Sequence, residues 1–308
     1  MKARTFIDIH VHAGVFATPV DWRNPIRTAP EVLIKRYDQL GIECGVLLPI
    51  VSPEWMMLTQ STEQILEIAR RHPRRFVPFC NVDPRACGYS SDAPLGEILN
   101  HYKKAGCKGI GEVTANLAFG DPLVQNLFRH AERLRMPLTF HVAPHFGRIY
   151  GLQDEAGLPG LERSLAAFPK LKFLAHSQSF WAEIGELETP ADRYEYPRYP
   201  IRREGVVPRL FRRYPNLYGD LSASSGHNAL ARDVDYAVGF LAEFQDRLCF
   251  GTDICGPDTP TPLVDFLLGL REEGRISRTV FEKIARGNAE RLLGLKKRTT
   301  KRKKKVTR

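Results

Sequence analysis

Residues 5–14 read TFIDIHVHAG, a short apolar run that ends in two histidines and a glycine. An apolar run of this length predicts a buried β-strand. Side chains at positions i and i+2 of a strand point to the same face, so His10 and His12 can bind one metal ion together. Gly14 lets the backbone turn where the strand ends. An HxH pair alone is a weak signal, because it also occurs in packed cores.

Seven further apolar runs follow, separated by amphipathic helix patterns that mostly end at Pro or Gly. After the first run at 5–12, they lie at 44–50, 76–83, 108–113, 137–144, 172–177, 217–223 and 248–254. Eight strand–helix repeats in 308 residues predict the fold class α/β, with one (β/α)8 TIM barrel over residues 1–295.

One segment interrupts this alternation. Residues 178–205, QSFWAEIGELETPADRYEYPRYPIRREG, are rich in proline, tyrosine and charged residues and follow the sixth run. We expect an irregular insertion over the active-site face, with a short helix around WAEIGEL. Long loops in this position tend to be lids or substrate walls.

Four later runs also end in residue types that bind metals. Glu112 closes the fourth run, His141 the fifth, His176 the sixth, and Asp253 follows the eighth. Taken singly, each has an ordinary interpretation as a structural histidine, a helix cap or a rim carboxylate. In a parallel barrel, however, the carboxyl ends of all strands meet on one face, where active sites are built. The six side chains together therefore predict a metal site.

The order of these residues along the strands resembles that of the amidohydrolase superfamily. ARGNAERLLGL, at residues 285–295, resembles the closing motif of its amidohydrolase-related branch, amidohydrolase 2. That branch includes proteins similar to aminocarboxymuconate-semialdehyde decarboxylase and many metal-dependent hydrolases. The resemblance covers residues 5–295 and specifies no substrate.

The resemblance implies a divalent cation held by His10, His12 and Asp253, with His141 as a further ligand when one ion is bound. Zinc is the default for mixed histidine and carboxylate ligands, and manganese or iron also fits. Asp253 would take a proton from water and pass it to the leaving group. His176 would orient water or substrate, or act as the base in the one-metal form.

The resemblance leaves two roles open for Glu112. In two-metal members a carboxylate from the fourth strand bridges the ions, and His141 and His176 bind the second ion. The alternative is that Glu112 does not bind a cation but accepts a hydrogen bond from a histidine ligand and so fixes the orientation of that histidine. The number of ions, one or two, depends on this residue.

Two catalytic functions are compatible with this site. The leading hypothesis is a metal-dependent hydrolase that activates water for attack on an amide, lactone or ester-like bond of a small molecule. The alternative is a metal-dependent decarboxylase or hydratase of a small unsaturated or aromatic carboxylic acid. A binding protein that has lost catalysis is a third possibility, and the complete ligand set argues against it.

Candidate substrate-binding residues lie in the loops that follow the strands. Trp22 and Arg23 follow the first run, Arg148 follows the fifth, and Trp181 follows the sixth. Arginines at the mouth of a barrel can bind a substrate carboxylate through two parallel hydrogen bonds. For each of these residues an ordinary position at the rim is an equal alternative.

The formal net charge of +10 comes almost entirely from residues 296–308. This segment carries nine Lys and Arg side chains, which leaves the rest of the chain at +1. A block of like charges is typical of a disordered tail with weak affinity for polyanions such as nucleic acid or an anionic surface. No aromatic residue interrupts the basic ones, so base stacking has no support.

The remaining patterns concern the environment of the protein. No apolar run is long enough to cross a membrane, and the first strand begins without a signal-peptide pattern, so we expect a cytoplasmic protein. The six cysteines form no CxxC pair, and we expect buried, reduced thiols. A homodimer is expected from the family resemblance.

Overall fold

The computed structural model describes residues 5–14, 28–55 and 59–295. This part of the chain contains a strand at each of the eight predicted runs, together with one additional strand of two residues, β6. The strands are β1 (Phe6–Val11), β2 (Ile42–Leu47), β3 (Phe76–Pro78), β4 (Ile110–Val113), β5 (Leu138–Ala143), β6 (Leu152–Gln153), β7 (Phe173–His176), β8 (Leu217–Asp220) and β9 (Leu248–Cys249). The predicted basic tail at 296–308 lies outside the described residues.

The strands pair in parallel throughout the described chain. One sheet has the order β1-β2-β3 and the other β4-β5-β7-β8-β9, with β6 pairing to β5. Isolated parallel bridges join the two sheets at both seams, Cys80 to Ile110 and Val11 to Ile254. The eight long runs therefore follow one another around a ring, and the predicted (β/α)8 barrel is confirmed.

Helices separate the strands. Their bounds are Pro30–Leu40, Thr62–Arg71, Ala86–Tyr89, Leu95–Lys104, Pro122–Leu134, Pro159–Ala167, Gln178–Ala182, Val206–Arg213, Ala223–Ala231, Val234–Glu243, Pro262–Glu272, Arg278–Glu282 and Asn288–Leu293, with a 3-10 helix at Pro190–Tyr194 and a π-helical turn at Lys283–Gly287. The helix before β5 begins as its sequence predicts, because the Asp121 side chain accepts a hydrogen bond from the Leu123 N–H at 2.8 Å.

Two helix predictions need correction. The amphipathic pattern NALARDVDYAVGFLAEFQ at 228–245 predicts a single helix, but the chain forms two helices there, and Asp233 caps the second by accepting a hydrogen bond from the Tyr236 N–H at 3.0 Å. In the insertion, the short helix is Gln178–Ala182 rather than a segment around WAEIGEL. It begins directly after β7, where the Ser177 side chain accepts from the Phe180 N–H at 3.1 Å.

The barrel interior is a separate apolar layer. Ile7 and Ile9 of β1 pack there with residues from the neighbouring strands, and Ala289 and Leu293 of the last helix close one end. Asn288, at the start of that helix, is fully buried and donates to the carbonyls of Gln245 and Leu248, both at 2.7 Å. This interior core packs the strands firmly together, so the side chains at their carboxyl ends are held by rigid elements.

No helix in the described residues is both long enough and apolar enough to cross a membrane. The six cysteines form no disulfide in this structure. Four of them are buried as expected, but Cys87 is exposed and Cys255 is partly exposed. The expectation of uniformly buried thiols is wrong for these two, because Cys87 lies in the short exposed helix Ala86–Tyr89 and Cys255 in the loop after β9.

Candidate metal centre

His10 of β1 and His12, which follows β1 directly, reach the barrel mouth after an irregularity in that strand. By strict alternation, His10 would lie on the opposite face of β1 from Ile9, which lines the barrel interior. The pairing of β1 with β2 shifts register between Asp8 and Val11, and an irregularity of this kind re-aims side chains. His10 and His12 are consequently buried close together, with their Nε2 atoms 3.1 Å apart.

The Nδ1 atom of His10, the ring nitrogen that does not face His12, is hydrogen-bonded to a carboxylate. Its Nδ1 lies 2.6 Å from Oδ2 of Asp220, at the end of β8, and both side chains are fully buried. Burial alone would raise the pKa of Asp220, but the neighbouring His10 lowers it more, and the net pKa is below its ordinary value. Asp220 is therefore a carboxylate that accepts a hydrogen bond from the Nδ1–H of His10, so Nε2 is the nitrogen that a cation would bind.

The Nδ1 atom of His12 also has a hydrogen-bond partner. Its Nδ1 lies 2.9 Å from the carbonyl oxygen of Leu48, which only accepts hydrogen bonds, so Nδ1 carries the proton. Nε2 of His12 thus presents a lone pair to Nε2 of His10 across 3.1 Å. Such an arrangement is repulsive unless a cation or a proton lies between them. Burial lowers the pKa of His10, but Asp220 and Asp253 raise it more, and the net pKa is well above its ordinary value.

Glu112 at the end of β4 faces two groups of histidines. Its Oε2 is 3.6 Å from Nε2 of both His10 and His12, and its Oε1 is 2.9 Å from Nδ1 of His141. Burial would raise the pKa of Glu112, but hydrogen bonding to His10 and His141 lowers it well below its usual range. The preceding Gly111, at φ 122°, lets β4 approach β5, because a Cβ there would lie 2.3 Å from the Thr139 carbonyl oxygen.

Asp253 enters the site from the loop after β9. Its Oδ1 is 3.4 Å from Nε2 of His12 and 3.6 Å from Nε2 of His10. Burial would raise its pKa, but His10, His12 and His176 lower it to about 2. The backbone of Asp253 has φ 54°, a region that few residues other than glycine adopt, and its N–H donates to the His10 carbonyl at 2.8 Å. This ionised carboxylate is thereby fixed against the HxH strand.

His176 completes the group from β7. Its Nε2 is 3.8 Å from Oδ2 of Asp253, and its Nδ1 is 3.0 Å from the hydroxyl of Ser222. Burial and the neighbouring His10 lower the pKa of His176 to about 4. The ring is therefore neutral near pH 7, which is the form that binds a metal or accepts a proton.

The donor atoms fit a divalent cation. Ligands at zinc-nitrogen and zinc-oxygen distances in tetrahedral directions are separated by about 3.3–3.5 Å. The five measured separations among His10, His12, Glu112 and Asp253 are 3.1–3.6 Å. A second group of donors within 4.8 Å of one another consists of Glu112, His141 and His176, so both groups contain Glu112. The structure thus brings together all six residues that the sequence predicted.

A family model for amidohydrolases matches residues 53–295. The chain belongs to the amidohydrolase family. No curated protein matches its sequence significantly.

Solved structures share the fold of this amidohydrolase at low sequence identity. An amidohydrolase from Burkholderia multivorans with bound zinc is 17% identical, with 94% of this chain and 99% of that chain covered and a TM-score of 0.61. The 5-carboxyvanillate decarboxylase from Sphingomonas paucimobilis is 16% identical, with 96% of this chain and 100% of that chain covered and a TM-score of 0.59. A probable 2-pyrone-4,6-dicarboxylic acid hydrolase from Acinetobacter baumannii is 15% identical, with 94% of this chain and 99% of that chain covered and a TM-score of 0.55. At these identities the likeness shows the fold alone.

Two aromatic side chains line one side of the metal centre. The Tyr150 ring lies 4.5 Å from the His141 ring and 4.5 Å from the Trp55 ring, and Trp55 lies 6.5 Å from His12, all measured between centroids. Burial raises the pKa of Tyr150, so its hydroxyl is neutral. The buried Trp55 Nε1 has no hydrogen-bond partner among the described residues. Trp55 and Tyr150 therefore form an aromatic wall with a spare N–H donor.

The four predicted substrate residues have different outcomes. Trp22 and Arg23 lie outside the described residues. Arg148 is exposed in the loop after β5, and its role stays a prediction. Trp181 is 1% exposed and packs against Phe180 and Phe240, so the expectation that it lines the mouth is wrong.

The physical reason for this correction is the early start of the helix after β7. That helix begins at Gln178 and turns the Trp181 ring into the layer between barrel and helices. There its Nε1 donates to the Asp220 carbonyl at 2.9 Å. Trp181 thus supports the end of β8, which carries Asp220.

Sequence reasoning missed two residues at this site. Asp220 holds His10, and Trp55 forms part of the aromatic wall. Asp220 had a usable signal, because it also closes an apolar run, LYGD at 217–220. Trp55 lies in a loop without a periodic pattern, and nothing in the sequence places it beside His12.

Proposed function

We propose that this amidohydrolase is a metal-dependent hydrolase that activates water for attack on an amide, lactone or ester-like bond of a small, planar molecule. The observation that carries the proposal is the pair of Nε2 atoms of His10 and His12. They face each other at 3.1 Å with both Nδ1 atoms already committed, inside a ring of carboxylates. This arrangement suits a cation and has no evident purpose as core packing.

The proposed ligands are His10, His12, Glu112 and Asp253 for one cation, with His141, His176 and Glu112 as the group available to a second. Glu112 uses different oxygens toward the two groups, Oε2 toward His10 and His12 and Oε1 toward His141. A carboxylate that presents one oxygen to each of two donor groups suits a bridge. A bridged pair of cations favours hydrolysis, because two-metal sites stabilise both the attacking and the leaving oxygen.

A bound divalent cation would lower the pKa of water toward about 7 and polarise the substrate carbonyl. Asp253, ionised and held against His12, would accept the proton of the attacking water and deliver it to the leaving group. His176, neutral and oriented by Ser222, would align the water or the substrate carbonyl. The carboxylate of Asp220 would keep His10 in the tautomer that leaves Nε2 open.

The aromatic wall supports a planar substrate. Trp55 and Tyr150 present rings beside the metal ligands, and a conjugated or aromatic substrate would stack against them. The Trp55 N–H would donate to a substrate oxygen. The similar hydrolase from Acinetobacter baumannii is named for a pyrone dicarboxylic acid, which is planar and carries carboxylates.

A decarboxylase of a small unsaturated or aromatic acid is the second candidate. One observation favours it, because the 2.9 Å distance from Glu112 Oε1 to His141 Nδ1 is also that of an ordinary hydrogen bond. In that case Glu112 orients His141, and one cation is bound. The similar 5-carboxyvanillate decarboxylase acts on an aromatic carboxylic acid.

Metal content per chain distinguishes the two candidates. We would measure it by plasma mass spectrometry on the purified protein and on Glu112→Gln, with the exposed Glu97→Gln as a matched control. A hydrolase with a bridging Glu112 should contain two cations, and Glu112→Gln should contain one. Lactones and amides of planar acids would then be the first substrates to assay.

Other results would change the proposal. One cation in both the wild-type protein and Glu112→Gln would contradict the bridge and direct the assay to decarboxylation of unsaturated acids. No cation in any variant, even after supplementation with zinc or manganese, would contradict the metal centre itself.

A further inference from the structure

Cys255 lies beside the metal ligands, although sequence analysis assigned all cysteines to the core. Its Sγ is 3.5 Å from Oδ1 of Asp253, two residues earlier. Together with Nε2 of His12, these atoms form a group of potential ligands within 4.8 Å of one another. Cys255 is only partly buried, in contrast to the four cysteines of the core.

This group cannot represent a separate ion. His12 has one open nitrogen, Nε2, because its Nδ1 is bonded to the Leu48 carbonyl. The same Nε2 belongs to the group formed with His10 and Glu112. An ion that contacts Cys255 through this group is therefore the ion held by the HxH pair.

The spacing of the sulfur fits coordination. Zinc binds sulfur at about 2.3 Å and carboxylate oxygen at 2.0–2.2 Å, which places tetrahedral sulfur and oxygen ligands about 3.6 Å apart. The observed Sγ to Oδ1 distance is 3.5 Å, and Oδ1 is also the oxygen nearest to His12, at 3.4 Å. The sulfur also lies within 4.8 Å of the His12 donor atom, so a cation held by His12 and Asp253 has the sulfur as a further donor beside it.

We propose that Cys255 is a thiolate ligand of the cation bound by His12 and Asp253, and that it gives the centre a preference for thiophilic cations. The inference rests on the metal centre of the proposed function. Nitrogen and oxygen ligands alone accept manganese or iron as well as zinc, whereas sulfur selects zinc, cadmium or cobalt over manganese and magnesium. Binding would release the thiol proton to solvent.

Cobalt provides a direct test, because a thiolate on Co²⁺ produces an intense sulfur-to-metal charge-transfer band in the near ultraviolet. The protein would be treated with a chelator, reloaded with Co²⁺ and compared with Cys255→Ser. Serine keeps a hydroxyl that can still donate to Asp253, so a purely hydrogen-bonding role is preserved while the sulfur is removed. The exposed Cys87→Ser is the matched control, since Cys87 belongs to none of the groups of potential ligands.

We expect the charge-transfer band in the wild-type protein and in Cys87→Ser, and its loss in Cys255→Ser while the visible cobalt bands persist. In competition, Cys255→Ser should also show a lower ratio of zinc to manganese affinity. Visible cobalt bands without a charge-transfer band in the wild-type protein would refute the thiolate ligand but leave the metal centre intact. The absence of all cobalt bands, with no retained metal, would refute the thiolate ligand and the proposed metal centre together.

Discussion

Asp220→Asn tests whether the metal centre depends on the tautomer of His10. The two oxygens of Asp220 accept hydrogen bonds from different donors, Oδ2 from Nδ1 of His10 at 2.6 Å and Oδ1 from the N–H of Ser222 at 3.0 Å. An asparagine has one acceptor oxygen and one NH2 group, so it can satisfy only one of these donors. The volume of the side chain changes little, and the substitution therefore isolates the hydrogen-bonding effect.

Both orientations of the asparagine amide weaken metal binding or folding. If its NH2 group faces His10, Nδ1 must become the acceptor, and the proton moves to Nε2, the metal-binding nitrogen. If the NH2 group faces Ser222, a buried backbone donor loses its partner. Each mismatch costs about 1–3 kcal/mol, because the atoms are fully buried. In the first orientation this corresponds to a loss of roughly 5- to 150-fold in metal affinity.

Zinc affinity would be measured by competition with a chromophoric chelator, and thermal unfolding of the metal-free protein would be measured in parallel. If the NH2 group faces His10, we expect Asp220→Asn to bind zinc more weakly and the unfolding temperature to change little. Asp246→Asn is the control, because Asp246 undergoes the same chemical change at an exposed ion pair with Lys283. Zinc affinity of Asp220→Asn within twofold of that of the control, with no fall in the unfolding temperature, would refute the tautomer argument.

Three further predictions concern the base, the substrate and the insertion. Asp253→Asn should retain most of its metal but lose turnover by roughly 10²- to 10⁴-fold, because an amide cannot shuttle the proton, and near-wild-type turnover at full metal content would contradict this role. Trp55→Phe keeps an aromatic ring but removes the indole N–H, so KM should rise about 5- to 10-fold at similar kcat, and an unchanged KM would exclude the substrate hydrogen bond. Arg193→Met leaves the buried Glu183 without its ion-pair partner at 2.7 Å, and urea denaturation near neutral pH should show a loss of about 3–5 kcal/mol. Burial already raises the pKa of Glu183, and without Arg193 the folded-state pKa rises further. The loss of stability in Arg193→Met should therefore be small below the ordinary glutamate pKa of 4.5 and grow as the pH rises above it. An equal loss of stability below pH 4.5 and near neutral pH would count against the ion pair.

The barrel was predictable because its signals are local. Each strand is a short apolar run closed by Gly, Pro or a polar residue, and all eight runs form strands that begin within two residues of the expected starts. Boundaries were less predictable where a single capping side chain decides them, as at Asp233. The extra strand β6 is two residues long and pairs with Val142 and Ala143 of β5, beyond the residues of β5 that pair with β4 and β7.

Sequence alone determined which side chains meet at the metal centre. A parallel barrel places the carboxyl ends of its strands on one face, and each predicted ligand lies near such an end or in the loop that follows it: His10, His12, Glu112, His141, His176 and Asp253. Tertiary structure decided what surrounds them. Asp220 is 210 positions from His10, and the direction of its side chain depends on the register of β8 against its neighbours. Trp181 is in the core and Trp55 is at the site because side-chain direction after a strand depends on where the next helix begins, which no local pattern in these loops specifies.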